Sequence, residues 1–208
     1  MTLTERYEAE RLRLLRMEAE GPAGEYRSPV FGEGNPHPVA LFVGEAPGAQ
    51  EEAQGRPFVG AAGKNLDALL AMAGLTREAL YVTNAVKFRP TRPGAGARLR
   101  NRPPTREEVA RFAPWLRREI AAVSPRVVVT LGNVPLQAVT GTDLTVGRAH
   151  GRLLPCGAAP PVFALYHPAS VIYRPQLRGV LEADMRALAG WLARAGREDD
   201  IWDAEKDI

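Results

Sequence analysis

Cysteine is nearly missing from this sequence. Cys156 stands alone among 208 residues, which excludes an internal disulfide, a CxxC redox pair and a cysteine-rich metal site. Long apolar runs are missing too: none approaches the roughly 18 to 20 residues that span a bilayer. The opening MTLTERYEAERLRLLRMEAEG is charged where a signal peptide would be apolar. A cytoplasmic protein with no membrane partner is therefore expected. No internal repeat, low-complexity tract or composition break divides the chain. Hydrophobic residues at 45% and charged residues at 25% match globular averages and argue against wholesale disorder, a collagen-like repeat or a coiled-coil rod. A single domain over 1–208 is expected, with an opening helix over about 4–19 and an acidic tail over 197–208.

Lysine is also scarce. Of 27 basic residues only Lys64, Lys87 and Lys206 are lysine, and the other 24 are arginine, whose planar fork suits phosphate and base edges. From Lys87 to Arg126 eleven basic residues face only Glu107, Glu108 and Glu119. The last twelve residues carry six acids and two bases. A basic segment followed by an acidic tail suits a nucleic-acid binder, and a solvated charged surface with a frayed end explains it equally.

Four short apolar runs, Val39–Val43, Leu80–Asn84, Val127–Leu131 and Val162–Tyr166, have the length and flanking turns of buried parallel strands. Helical spacing follows each of the first three. Leu66, Leu69, Leu70 and Ala73 stop at Gly74, and Asn133 to Val139 stops at Gly141. Thr105 with Glu108 is a capping-box signature opening a helix through Val109, Phe112, Leu116 and Ile120. Leu177 to Leu192 marks a C-terminal amphipathic helix with Gly196 as its stop. Alternating strands and helices imply an α/β fold of three layers, a central four-stranded parallel sheet flanked by helices. Arg92 to Pro104 reads as a long loop.

Ligands of such sheets bind at the carboxyl ends of the strands. That rim gathers Gly44–Phe58, Asn84–Arg89, Gly132–Pro135 and His167–Arg174. The Gly44, Pro47, Gly48 turn exposes N–H groups to an anion or carbonyl oxygen, or merely reverses the chain. It is neither GxxxxGKS nor GxGxxG, which disfavours ATP or NAD bound by the usual devices. Asn84 ends a strand, where a carboxamide can read the edge of a base or cap its own backbone. Pro168 holds His167 extended, so its imidazole projects to the rim. Phe58 lies in a glycine-rich loop without apolar periodicity, suited to stacking on a planar ligand.

Together, GEAPGAQEEAQGRPFVGAAGKNLDALL (Gly44 to Leu70), YVTNAVKFRP (Tyr81 to Pro90), NRPPTREEV (Asn101 to Val109) and HPAS (His167 to Ser170) resemble the family 4 uracil-DNA glycosylases. The resemblance runs from about Val30 to Trp191. It implies the uracil-DNA glycosylase fold and hydrolysis of the N-glycosidic bond of uracil in DNA, leaving an abasic site. The uracil nucleotide must be flipped out of the stack first. By that resemblance Phe58 stacks on the flipped ring, Asn84 reads its pairing edge and His167 donates to the oxygen beside the scissile bond. The Glu45 to Gly48 loop, with Ala46, holds the attacking water and gives backbone donors, and Glu51 sits near the pocket. Ser170, Val171, Arg174, Arg98, Arg100 and Arg102 would contact the DNA, with Val171 to Tyr173 as a wedge.

The sequence departs from that family in one respect. Members carry four cysteines for an iron–sulfur cluster, whereas two of those positions hold Phe88 and Phe112 and no cysteine precedes residue 156. No cofactor and no metal are expected. Phe88, Phe112 and Trp115 are expected to pack against the opening helix instead. A related branch traps uracil-containing DNA through a histidine aligned with Asn101. An amide is a poor nucleophile, so hydrolytic turnover is expected, by a monomer. Two other functions stay open at this point: a glycosylase of the same fold acting on hypoxanthine or xanthine, and a non-catalytic nucleic-acid-binding protein.

Overall fold

The computed structural model describes residues Glu5, Glu8, Ala9, Arg11, Leu12, 28–96, 98–157 and 159–195. Six strands form one sheet in the order β1 (Glu33–Gly34), β3 (Leu80–Asn84), β2 (Ala40–Gly44), β6 (Val127–Leu131), β8 (Ala159–Leu165), β7 (Leu153–Cys156). The inner four pair parallel, as continuous apolar runs require. The two edge strands pair antiparallel and lie outside the expected four. Both are short, and β7 carries Pro155 and a register shift, so neither has a periodicity to read. The outer inner strand is longer than expected, starting at Ala159, and ends one residue earlier.

Side-chain alternation sends the two halves of each buried strand to opposite layers. Phe42, Val82 and Val129 point to one face, where α2 (Ala61–Met72) and α7 (Leu177–Ala195) cover them with Leu66, Leu70, Leu181, Met185 and Leu188. Leu41, Val43 and Val128 point to the other, covered by Leu116 and Ile120 of α3 (Arg106–Val123) and Leu136 of α4 (Asn133–Thr140). The result is the expected three-layer α/β architecture. Helix α3 begins where expected: Thr105 Oγ1 accepts from Glu108 N at 3.2 Å, and Glu108 Oε2 accepts from Thr105 N at 2.7 Å. Gly141 closes α4 at φ 69°, and a single turn, α5 (Val146–Ala149), follows it.

Two elements inside expected loops are new. Ala49–Gln54 is a short helix, α1, within the glycine-rich segment. The arginine-rich stretch is a hairpin, β4 (Thr91–Pro93) against β5 (Leu99–Asn101), which its Pro, Gly and Arg content concealed. Of the opening helix only Glu5, Glu8, Ala9, Arg11 and Leu12 are described, all helical. Gly196 and the acidic tail 197–208 lie outside the described residues. A third apolar cluster joins Val86, Phe88, Phe112 and Trp115 with Phe31. Phe88 and Phe112 rings lie 5.7 Å apart, Phe31 and Trp115 6.1 Å apart, and the Arg11 guanidinium sits 4.8 Å over Phe31.

No helix among the described residues is long and apolar enough to cross a membrane. One buried polar group stands out: Lys87 and Glu119 form a fully buried ion pair, with Thr83 Oγ1 3.1 Å from both Glu119 carboxylate oxygens. Lys87 Nζ also donates 2.8 Å to the backbone oxygen of Asn84, so the pair anchors the strand end that faces the rim.

Candidate active site

The register of the parallel strands places Gly44 directly beside Asn84. Gly44 has no side chain because there is no room for one. A Cβ there would approach the Phe58 ring to 2.5 Å and run into Asn84 Oδ1. The ring and the carboxamide thus lie against one another over the strand end, both almost wholly buried. Among the described residues no protein group hydrogen-bonds the Asn84 carboxamide, which leaves its two donors and its acceptor for a ligand.

His167 comes from the other side of the sheet, two residues beyond β8. Its Nδ1 accepts from Ala169 N at 3.1 Å. A nitrogen that accepts carries no proton, so in the neutral ring the hydrogen sits on Nε2. Burial pushes the imidazole pKa below its ordinary 6.5. His167 is therefore a neutral ring with a single outward donor, Nε2–H.

Phe58, Asn84 and His167 line one cleft of about 380 Å³ with Ala46, Gly48 and Glu51. A neighbouring chamber of about 420 Å³ is lined by Glu45, Ala46, Gly48, Asn101, Arg102, His167 and Tyr173. The residues common to both, Ala46, Gly48, Asn101 and His167, mark the passage between them. Glu45 opens on the second chamber, and burial raises its carboxyl above 4.5.

Several expected site residues also hold structural hydrogen bonds of their own. Glu51 Oε2 accepts from Gly48 N at 3.1 Å and Oε1 from Gly60 N at 2.8 Å. Both oxygens are thereby committed to stapling the two ends of the loop. Gly48 donates its N–H to Glu51, so it is not a free donor for a ligand; Ala46 N–H is unpaired among the described residues. Arg102 closes a two-point fork on Glu108 at 2.7 Å and donates to Thr91 O at 3.0 Å, which ties the hairpin to α3 instead of freeing the guanidinium. Arg98 and Arg100 are exposed on the same hairpin, with Arg92 directly across from Arg100.

After His167 the chain turns into α6 (Ser170–Tyr173). Val171 packs back onto the core, while Ile172 and Tyr173 stand 55% and 84% exposed at the mouth. Arg174 is exposed beside them, and Ser170 is half-buried. Asn101, singled out in the sequence only as an aligned position, lies on the passage itself. Arg89 Nε donates 2.7 Å to its Oδ1 and Arg89 Nη1 pairs with Glu52 at 2.9 Å, leaving the Asn101 NH2 toward the cleft.

A cleft with an aromatic wall, an unpaired carboxamide and a neutral imidazole donor at a sheet rim has the shape and polarity that suit a planar base. Residues 31–189 match the Uracil DNA glycosylase superfamily, and the chain belongs to that superfamily. It is 43% identical over 166 residues to the type-4 uracil-DNA glycosylase of Archaeoglobus fulgidus, covering 76% of this chain and 79% of that one. The type-4 uracil-DNA glycosylase of Thermotoga maritima is 34% identical over 170 residues, covering 80% and 84%. The type-5 uracil-DNA glycosylase of Pyrobaculum aerophilum is 34% identical over 158 residues, covering 68% and 66%. Wild-type SMUG2 of Pedobacter heparinus shares the fold, with a TM-score of 0.53 over 88% of this chain and 97% of that one at 11% identity.

Proposed function

We infer that the chain is a uracil-DNA glycosylase of the type-4 kind, hydrolysing the bond between uracil N1 and deoxyribose C1′ in DNA. The observation that carries this reading is the gathering of Phe58, Asn84 and His167 around one cleft of about 380 Å³. A flipped uracil stacks on Phe58 and presents its N3–H and O4 to the Asn84 carboxamide, which has one acceptor and two donors to meet them. His167 Nε2–H donates to O2. As the C1′–N1 bond breaks, its electron pair goes to the base, and negative charge grows on O2 where a fixed donor stabilises it. The sugar becomes cationic. Water adds to C1′, and Glu45 accepts the proton that water loses, a task to which a carboxyl raised by burial is suited.

The DNA lies across the second chamber. Exposed Arg98, Arg100 and Arg92 on the hairpin, and exposed Arg174 after α6, supply phosphate contacts, with Ser170, whose hydroxyl has no protein partner among the described residues, as a further contact. Of the expected wedge, Ile172 and Tyr173 are the exposed members while Val171 packs inward, so they are the side chains proposed to fill the gap left in the stack. We propose further that the chain acts on uracil-containing DNA as a monomer in the cytoplasm.

An iron–sulfur cluster does not fit this chain. The positions of two cluster cysteines are the mutually packed Phe88 and Phe112, and the single Cys156 lies on an edge strand. We propose that the apolar cluster with Phe31 and Trp115 takes over the bracing role. Single-stranded and duplex oligonucleotides carrying one uracil, hypoxanthine or xanthine, followed by alkaline cleavage at abasic sites, test the activity. Cleavage at uracil alone is expected. Cleavage at hypoxanthine or xanthine instead, or binding with no cleavage, would replace the proposal.

A further inference from the structure

Phe58 has φ 54°, a left-handed backbone that a residue with a bulky side chain adopts only when its surroundings force it. Among the described residues one other non-glycine residue shares this sign, Ser124, and it simply caps the end of α3. Phe58 caps nothing. Its conformation is imposed from three directions. Gly63 has no Cβ, and one placed there would overlap the Phe58 carbonyl group. Gly44 leaves space for the ring. The third is a side chain: Arg77 Nη2 donates 2.7 Å to Phe58 O and 3.5 Å to Gly63 O, while its Nε pairs with Asp67 of α2.

Arg77 stands in the short 3-10 turn Arg77–Ala79 that feeds β3, behind the slot, and it lines neither the cleft nor the outer chamber. We propose that Arg77 is a positioning residue for the base platform. Its guanidinium holds the Phe58 carbonyl in the left-handed turn, and the turn in turn holds the ring flat against Gly44 beside the Asn84 carboxamide. Without the fork, Phe58 can relax to negative φ and the ring leaves the wall. This rests on the reading of the cleft as a base slot, so its effect falls on the base and not on DNA that carries no base there.

A double-mutant cycle on Arg77→Met and Phe58→Ala tests it, reading single-turnover release of uracil and the Kd for DNA containing a tetrahydrofuran abasic analogue. Arg77→Met alone is expected to slow uracil release about tenfold, within the range that backbone strain of this kind stores, with the Kd for the abasic analogue within about twofold of wild type. In the Phe58→Ala background the same change should cost nothing further, because the ring it positions is gone. Arg77→Lys, which keeps one donor and serves as the second variant should Arg77→Met fail to fold, is expected to release uracil at a rate between wild type and Arg77→Met in the Phe58 background only. Additive losses, equal loss of release and abasic-analogue binding, or wild-type release by Arg77→Met would overturn the proposal. Failure of the wild-type chain to release uracil would instead overturn the base-slot reading beneath it.

Discussion

Replacing His167 with alanine removes one donor from the slot and changes little else, which makes its size calculable. The ring has two nitrogens. Nδ1 is tied to Ala169 N at 3.1 Å, and burial keeps the imidazole neutral, so Nε2–H is the one group left to meet the departing base. A single preorganised donor aimed at developing negative charge is worth about 2.7 to 4 kcal/mol, or a factor of about 10² to 10³ in rate. His167→Ala should slow single-turnover uracil release by that factor while the Kd for tetrahydrofuran-containing DNA stays within about threefold. The lost Nδ1 acceptor leaves Ala169 N–H to water, a stability cost of about 1 kcal/mol visible in urea unfolding. pH adds a second reading. Because the folded pKa lies below 6.5, the unfolded chain takes up the proton first as pH falls. The stability contributed by the neutral ring is complete above 6.5 and is lost as pH drops through the folded value. Equal losses in release and in abasic-DNA binding, or a loss of less than about fivefold, would refute the assignment of His167 as the donor to the leaving base.

Glu45→Gln should lower uracil release at neutral pH and remove the acid limb of the rate profile, yet raise the unfolding midpoint at pH 7. Burial holds the folded carboxyl above 4.5, so its ionisation costs stability as pH rises through that window, and the gain in the variant should vanish below pH 4.5. Removing Arg98 and Arg100 together should reduce the salt-dependence slope of DNA binding by about 1.8 if each neutralises one phosphate, with the thermal midpoint unchanged. Arg102→Ala, by contrast, should lower the midpoint because its fork closes on Glu108. Lys87→Met should cost about 3 to 5 kcal/mol by stranding Glu119, and Lys87→Met with Glu119→Leu much less, as urea unfolding would show.

What could be read from the sequence followed from local chemistry. Uninterrupted runs such as VVVTL have only one comfortable place, a strand covered on both faces, and Thr105 with Glu108 completes its cap within four residues. Asn84 and His167 were legible as rim residues because strand ends fix them. The edge strands were not, since Glu33–Gly34 is held by its partner and not by its own pattern. Long-range partners were equally hidden. Nothing in GAQEEAQGRPF shows that Glu51 will spend both oxygens on Gly48 and Gly60, or that Arg102 will turn inward to Glu108. The left-handed Phe58 depends on Gly63 and Arg77, five and nineteen positions away, and becomes apparent only once the chain has closed around it.

The central claim is that these three side chains hold uracil itself, and a crystal structure with the free base bound addresses it without intermediaries. The pyrimidine should lie on Phe58 in the cleft of about 380 Å³, with its N3 and O4 at the Asn84 carboxamide and O2 at His167 Nε2. Uracil seated elsewhere, for example in the smaller cavity of about 180 Å³ between Asn65, Met72 and Arg178, with the cleft left to solvent, would contradict the account.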